Sequence, residues 1–307
     1  MIPKYIGNGA YCYTNSTAML LADKGYDYPP SIIEVLSGLG LGFFTDNNVP
    51  IVFFSNYATS PEDGINNALN LLGFTYEEKN FEDEKTAFKE LKSAVKKSPV
   101  VIGPIDIGYM KHWGMSKEEG GDHYVLVYEI TKDVVWIHDP QEFPSTPLPV
   151  KDFVNIWRAD NIRFKRKKFH FWTNPKKKKS KSNILKDAIK LFKLNYEKSK
   201  IHPENIKIDE EALIDLSVRV KKDMPEFLVK HLTGFAFPVI IRRSLDYAYF
   251  FRENKKEKLA KIKEKQAELF STCQVYSMKQ DWNKVSDALK KLAKVEKEFK
   301  KELFRCN

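Results

Sequence analysis

Cysteine is scarce in this sequence. Its 307 residues hold three, Cys12, Cys273 and Cys306, an odd number scattered along the chain. That is no disulfide framework, and it fits a reducing compartment, so the protein reads as cytoplasmic. Long apolar runs are absent too. No stretch approaches the roughly 20 apolar residues that cross a bilayer. The N-terminus, MIPKYIGNGAYC, lacks the charged-then-apolar order of a secretory signal. Neither an HExxH helix nor paired CxxC spacings occur, so no metal site is expected. The glycine-rich element Gly38-Leu-Gly-Leu-Gly-Phe-Phe44 lacks GxGxxG spacing and is no phosphate fingerprint, and no cofactor is expected.

What is present is an ordinary globular composition, 42% hydrophobic and 30% charged, over a length that leaves room for two domains. Charge is unevenly placed. Residues 1–175 carry 18 basic and 22 acidic side chains, net −4, against 33 basic and 19 acidic in 176–307, net +14. A solvated, lysine-rich surface on amphipathic helices would account for that excess. A docking surface for an acidic partner is the sharper reading. Nucleic acid fits less well, because the lysines interleave with glutamates and no recognised binding motif accompanies them.

The segment Asn174-Pro-Lys-Lys-Lys-Lys-Ser-Lys-Ser182 combines a proline, a charge run and small polar residues, and is expected as an exposed linker. It separates a mixed α+β domain, 1–173, from a basic all-helical domain, 183–307. In the first, Ser60-Pro61-Glu62-Asp63 caps a helix that Gly73 stops, and 84–97 repeats apolar positions at helical spacing. Strands are expected at Ile51–Phe54, Phe74–Glu78, Pro99–Ile102, Tyr124–Ile130 and Val134–His138, the last two as an antiparallel hairpin. In the second, helices are expected near 183–199, 209–222, 225–253, 255–278 and 281–304, the third broken at Gly234 or Pro238.

The chemistry centres on Cys12, which a glycine-containing loop delivers to the start of a helix. A helix N-terminus carries about half a positive charge and unbonded N–H groups. Both favour thiolate over thiol, and the same N–H groups can hold an oxyanion. A buried inert cysteine is the blander alternative. His123 opens the strand of Gly120-Gly-Asp-His-Tyr-Val-Leu-Val127, and Asp139 ends the next strand, Val135-Trp-Ile-His-Asp139. One hairpin thereby brings base and orienting carboxylate to the same end. Asp122 and His138 alternate to the opposite faces of their strands, His112 falls in a loop beside Trp113, and His170, His202 and His231 lie too far along the chain. A cysteine on an N-terminal helix, with histidine and aspartate on later strands, is the order of papain-like folds.

Several segments together resemble the N-terminal domain of the butirosin-biosynthesis acyltransferase family. They are Cys12-Tyr-Thr-Asn-Ser-Thr-Ala-Met-Leu-Leu-Ala-Asp-Lys-Gly25, Ser37-Gly-Leu-Gly-Leu-Gly-Phe-Phe44, 99–109, Asp122-His-Tyr-Val-Leu-Val-Tyr128 and Val135-Trp-Ile-His-Asp139. The resemblance covers about residues 5–160 and implies a papain-like fold related to bacteriocin-processing peptidases. It places the nucleophile on Cys12, the base on His123 and the orienting acid on Asp139. It further implies an acyl thioester donor, carried in the named member by an acyl carrier protein, and an amine-bearing acceptor, in specialised-metabolite biosynthesis. Where the related peptidases carry a glutamine six residues before the cysteine, this chain has Ile6; Asn8 would serve as oxyanion donor only by a different geometry. Tyr11 replaces a histidine common before the cysteine. Asn8, Tyr11, Phe43, Phe44, Asp106 and Tyr109 are expected to border the substrate cleft, the two phenylalanines as a wall of an acyl channel. A plain turn at 38–44 and a structural hydrogen bond at Asp106 are the alternatives. Hydrolysis by the same triad and a catalytically silent binding module remain the competing readings.

Overall fold

The computed structural model describes residues 2–115, 120–162, 166–178, 183–222 and 224–306. From the N-terminus, α1 (Cys12–Asp23) and α2 (Pro30–Ser37) precede the short strands β1 (Phe44–Asp46) and β2 (Val49–Phe53). Then come α3 (Pro61–Leu71), β3 (Phe74–Lys79), α4 (Glu84–Val95), β4 (Val100–Asp106) and two 3-10 turns, Ile107–Tyr109 and Lys111–Trp113. The hairpin β5 (Asp122–Ile130) and β6 (Val134–Asp139) follows, then β7 (Phe143–Pro149), α5 (Val150–Arg158) and β8 (Phe171–Lys177). The remainder is α6 (Ile184–Ser199), β9 (Ile206–Ile208), α7 (Asp209–Arg219), α8 (Glu226–His231), a π turn (Leu232–Ala236), α9 (Phe237–Glu253), α10 (Glu257–Met278) and α11 (Trp282–Arg305). The class is the expected α+β, with a C-terminal run almost wholly helical.

The chain divides into two compact units, one of residues 1–33 and 72–180, the other of 34–71 and 181–307. Residues 34–71 thus group with the helical half. Of the segment expected as a linker, Asn174–Lys177 continue β8, and 179–182 lie outside the described residues.

The first unit is built on a six-stranded antiparallel sheet in the order β3-β8-β4-β5-β6-β7. Alternation gives β5 two apolar faces. Val125 and Val127 join Val100, Ile102, Val135 and Ile137 in a core closed by Ala87 and Leu91 of α4 and by Phe153, Ile156 and Trp157 of α5. The intervening Tyr124 meets Tyr13 of α1 edge to face, centroids 6.1 Å apart. Helix α1 is apolar or small on every side and buried from Tyr13 to Leu21, as a helix enclosed by its domain must be. Ser16 Oγ donates to the Tyr124 carbonyl at 3.1 Å and fixes α1 against β5 one residue from His123.

The second unit pairs a three-stranded sheet, β2-β1-β9, with helices whose apolar faces meet around Phe43, Phe54, Phe237 and Phe270. The helix expected over 225–253 is interrupted by the π turn that contains Gly234 and precedes Pro238, whose ring and missing N–H a regular helix would not accept. Two buried polar contacts set its interior. Arg243 Nε donates to Glu34 Oε1 at 2.7 Å. Glu296 accepts from Tyr196 Oη and Gln266 Nε2, both at 2.6 Å, while burial pushes the adjacent Lys263 down to about 8.

Candidate active site

Cys12 is the first residue of α1, and the residue before it is strained. Tyr11 is the N-cap with φ 68° and ψ 44°, a left-handed conformation that costs a side-chain-bearing residue about 1–2 kcal/mol. Its side chain does not cap the helix, and its carbonyl accepts the Asn15 N–H at 2.8 Å, so Cys12 stands in the first turn beside backbone N–H groups of the helix start. The turn is held from within. Thr14 Oγ1 donates to the Tyr11 carbonyl at 3.1 Å, and Asn15 Nδ2 reaches Ala10 O at 2.7 Å, Tyr11 O at 3.0 Å and Asn8 Oδ1 at 3.1 Å. Cys12 itself is half-buried.

His123 and Asp139 meet across the β5–β6 pair. His123 Nε2 lies 2.7 Å from Asp139 Oδ1, with 4% of the histidine and none of the aspartate exposed. The charge of Cys12 bears on His123. With Nε2 on the carboxylate, Nδ1 is the ring nitrogen left for the sulfur. Burial by itself would lower the imidazole, but the charge of Cys12 and the hydrogen bond to Asp139 outweigh it and raise His123 to about 10. Burial likewise disfavours the Asp139 carboxylate, yet hydrogen bonds from His112 and His123 hold it well below the usual carboxylate range.

Asp139 has further partners that the sequence reading left aside. His112 Nε2 and Trp113 Nε1 each lie 2.7 Å from Oδ2, and the Gln141 N–H donates to Oδ1 at 2.9 Å. The Trp113 ring stands edge-on to His123, centroids 4.9 Å apart. Two 3-10 turns carry this pair onto the carboxylate, a placement that no helical or strand periodicity signals. The adjacent His112-Trp113, bounded by Gly114, was the available sign.

The N-terminal segment straps the same corner. Tyr5 Oη donates to the Asp139 carbonyl at 2.9 Å, and the Gly9 N–H donates to Pro140 O at 3.2 Å. His138 is held by backbone groups alone on both ring nitrogens. The Ser145 N–H donates to its Nδ1 at 3.0 Å, which leaves Nε2–H to donate to Pro3 O at 3.0 Å. His170 is buried against Glu78, 2.8 Å away. Asp122 pairs with Arg166 at 3.2 Å.

The expected cleft residues belong to both units. Asn8 is exposed four residues before Cys12, its Oδ1 held by Asn15. Asp106 is buried one register pair from His123, its Oδ1 accepting from the Gly108 N–H at 2.8 Å. Tyr109 packs against the core beneath the sheet. Phe43 and Phe44 belong to the second unit. Phe43 lies in its core, edge-on to Phe54, and Phe44 stacks on Phe53 with centroids 4.4 Å apart. Cys273 shows the inert alternative for a thiol: it is fully buried and pushed up to about 12 by that burial.

Comparison with known proteins agrees with this arrangement in extent. Residues 11–140, which hold Cys12, His123 and Asp139, match the family described as Butirosin biosynthesis protein H, N-terminal. Residues 203–304 match the YobF C-terminal domain. Over 311 aligned positions, covering 98% of either chain, the sequence is 35% identical to the uncharacterized protein YobF of Bacillus subtilis (strain 168). The chain therefore belongs to the YobF family, and in it a segment like the N-terminal part of butirosin biosynthesis protein H precedes a helical segment that matches the YobF C-terminal domain.

Proposed function

We propose that the protein is a cysteine-dependent acyltransferase in which Cys12 is the nucleophile, His123 the general base and acid, and Asp139 the group that orients His123. The observation that supports this reading best is a buried histidine held 2.7 Å from a buried carboxylate, with a thiol at the start of α1 whose charge bears on that histidine. His123 takes the Cys12 proton, and the sulfur attacks the carbonyl carbon of an acyl thioester. The tetrahedral intermediate collapses by breaking the bond to the donor sulfur, which leaves with the proton held on His123. An amine then attacks acyl-Cys12, His123 removes its proton, and the C–S bond breaks to return the thiol. N–H groups in the first turn of α1 would donate to the oxyanion. A donor carried on an acidic acyl carrier protein would find complementary charge in the +14 of residues 176–307. The reading places the enzyme in the cytoplasm, in specialised-metabolite biosynthesis.

The test is the intact mass of the protein after incubation with a panel of acyl thioesters, beside Cys12→Ala. A mass gain equal to one acyl group, absent from the variant, is expected. No gain from any donor, together with ordinary Cys12 thiol reactivity, would overturn the proposal. Addition of amines then separates transfer from hydrolysis, because acylated amine replaces free acid as the product.

A further inference from the structure

Away from Cys12, α4 and α5 border an open groove of about 1130 Å³ that reaches the β5–β6 turn and Pro149. Six lysines line it: Lys85, Lys89, Lys92 and Lys96 from α4, Lys132 from the turn and Lys151 from α5. Among the described residues none of the six has a carboxylate within 4.0 Å, whereas Arg158, in the same lining, is engaged by Glu84 and Asp160. The α4 lysines recur at intervals of four, three and four, so they form one stripe, and like charges at those intervals repel by a few tenths of a kcal/mol per pair. A face needed only for solubility would intersperse signs. The stripe also runs against the local composition, since residues 1–175 are net −4.

We infer that this groove binds an acidic amphipathic helix of a partner protein. The floor is apolar, formed by Phe88, Val150 and Val154, and suits apolar side chains flanked by carboxylates. From Lys85 to Lys96 the stripe extends about 16 Å, the length of three helical turns. A nucleic acid would want exposed aromatic faces for stacking. Phe88 is the one aromatic in the lining, and the Lys92 ammonium covers it at 4.6 Å. A membrane surface is flat and would leave the floor empty. Lys132 and Asp133 lie at the end of the hairpin opposite His123 and Asp139, about 17 Å along β6. The groove is thus separate from Cys12, and the inference does not depend on its chemistry.

The probe is an 18-residue fluorescent helical peptide with glutamates at intervals of four, three and four beside a leucine stripe. Its controls are the same composition broken by two central prolines, a 15-nucleotide single-stranded DNA, and phosphatidylserine vesicles. Anisotropy at 50 mM salt should give at least tenfold tighter binding of the helical peptide than of the broken one. That binding should weaken at 200 mM salt and fall at least tenfold in K85E/K89E/K92E/K96E and in K132E/K151E. Both variants change exposed or half-exposed side chains, and unaltered circular dichroism and melting will confirm that they fold. Equal binding of the broken peptide, binding that survives both variants, or tighter lysine-dependent binding of the DNA or the vesicles would each overturn the inference.

Discussion

Asp139 accepts from four donors, three of them side chains, so both carboxylate oxygens are occupied while His123 needs only one. A carboxylate gripped this way is held against the imidazole, and under the proposed function His112 and Trp113 are positioning residues. Replacing His112 by Ala, or Trp113 by Phe, removes a hydrogen bond to a buried charge, a loss of about 1.5–3 kcal/mol. Denaturant unfolding should register that loss, and alkylation of Cys12 by iodoacetamide at pH 7 should slow by up to tenfold. An unchanged alkylation rate with the same loss of stability would reduce both residues to packing. His123 makes a second, pH-dependent claim. Its folded value, about 10, lies above the ordinary 6.5, so its contribution to stability is complete below about pH 6.5 and disappears as pH rises through 10. Melting temperatures of the wild type and His123→Gln should therefore differ most near pH 6 and converge by pH 10.5. At this scale Cys12, His123 and Asp139 were legible in the sequence, because each stands at the end of a regular element. His112 and Trp113 were not, because they reach Asp139 through turns whose course depends on the folded sheet.

Among the elements, the helices of the second unit and the β5–β6 hairpin follow their periodicity within a few residues of expectation. Strands β1, β7, β8 and β9 did not show themselves; β1 and β9 are only three residues each, and proline explains the other two. β7, Phe143-Pro-Ser-Thr-Pro-Leu-Pro149, has three prolines and survives as a strand because it is the sheet edge, where a missing N–H leaves no ladder bond unmade. In β8, Pro175 falls at the irregularity in its pairing with β3, beyond the stretch Phe171–Thr173 that pairs with β4. The joint between α1 and β5 is testable. Ser16→Ala leaves the buried Tyr124 carbonyl without its Ser16 donor and should cost about 1–3 kcal/mol. A Cβ on Gly103 would come within 2.2 Å of the Tyr124 ring, so Gly103→Ala should displace the same ring and lower the melting temperature by several degrees. If both variants alkylate at Cys12 like the wild type, the α1–β5 joint does not govern the thiol.

For the whole molecule, charge and chain course matter more than any single contact. With −4 in residues 1–175 and +14 in 176–307, the two stretches should answer differently to salt and to acidic partners. Reversing several lysines of 176–307 to glutamate should cut acylation from a carrier-borne donor at least tenfold at low salt and leave a free thioester unaffected; equal rates with the carrier would refute docking there. Chain course has a practical consequence. Residues 3–9 lie across the corner that holds Asp139, touching it through Pro3, Tyr5 and Gly9, so this segment closes a loop with one more than 130 residues later. An insertion or protease site placed just ahead of Pro3 is consequently an alteration of the candidate active site. A preparation that loses activity on cleavage within residues 3–9 would report the strap at work before any point mutation is made.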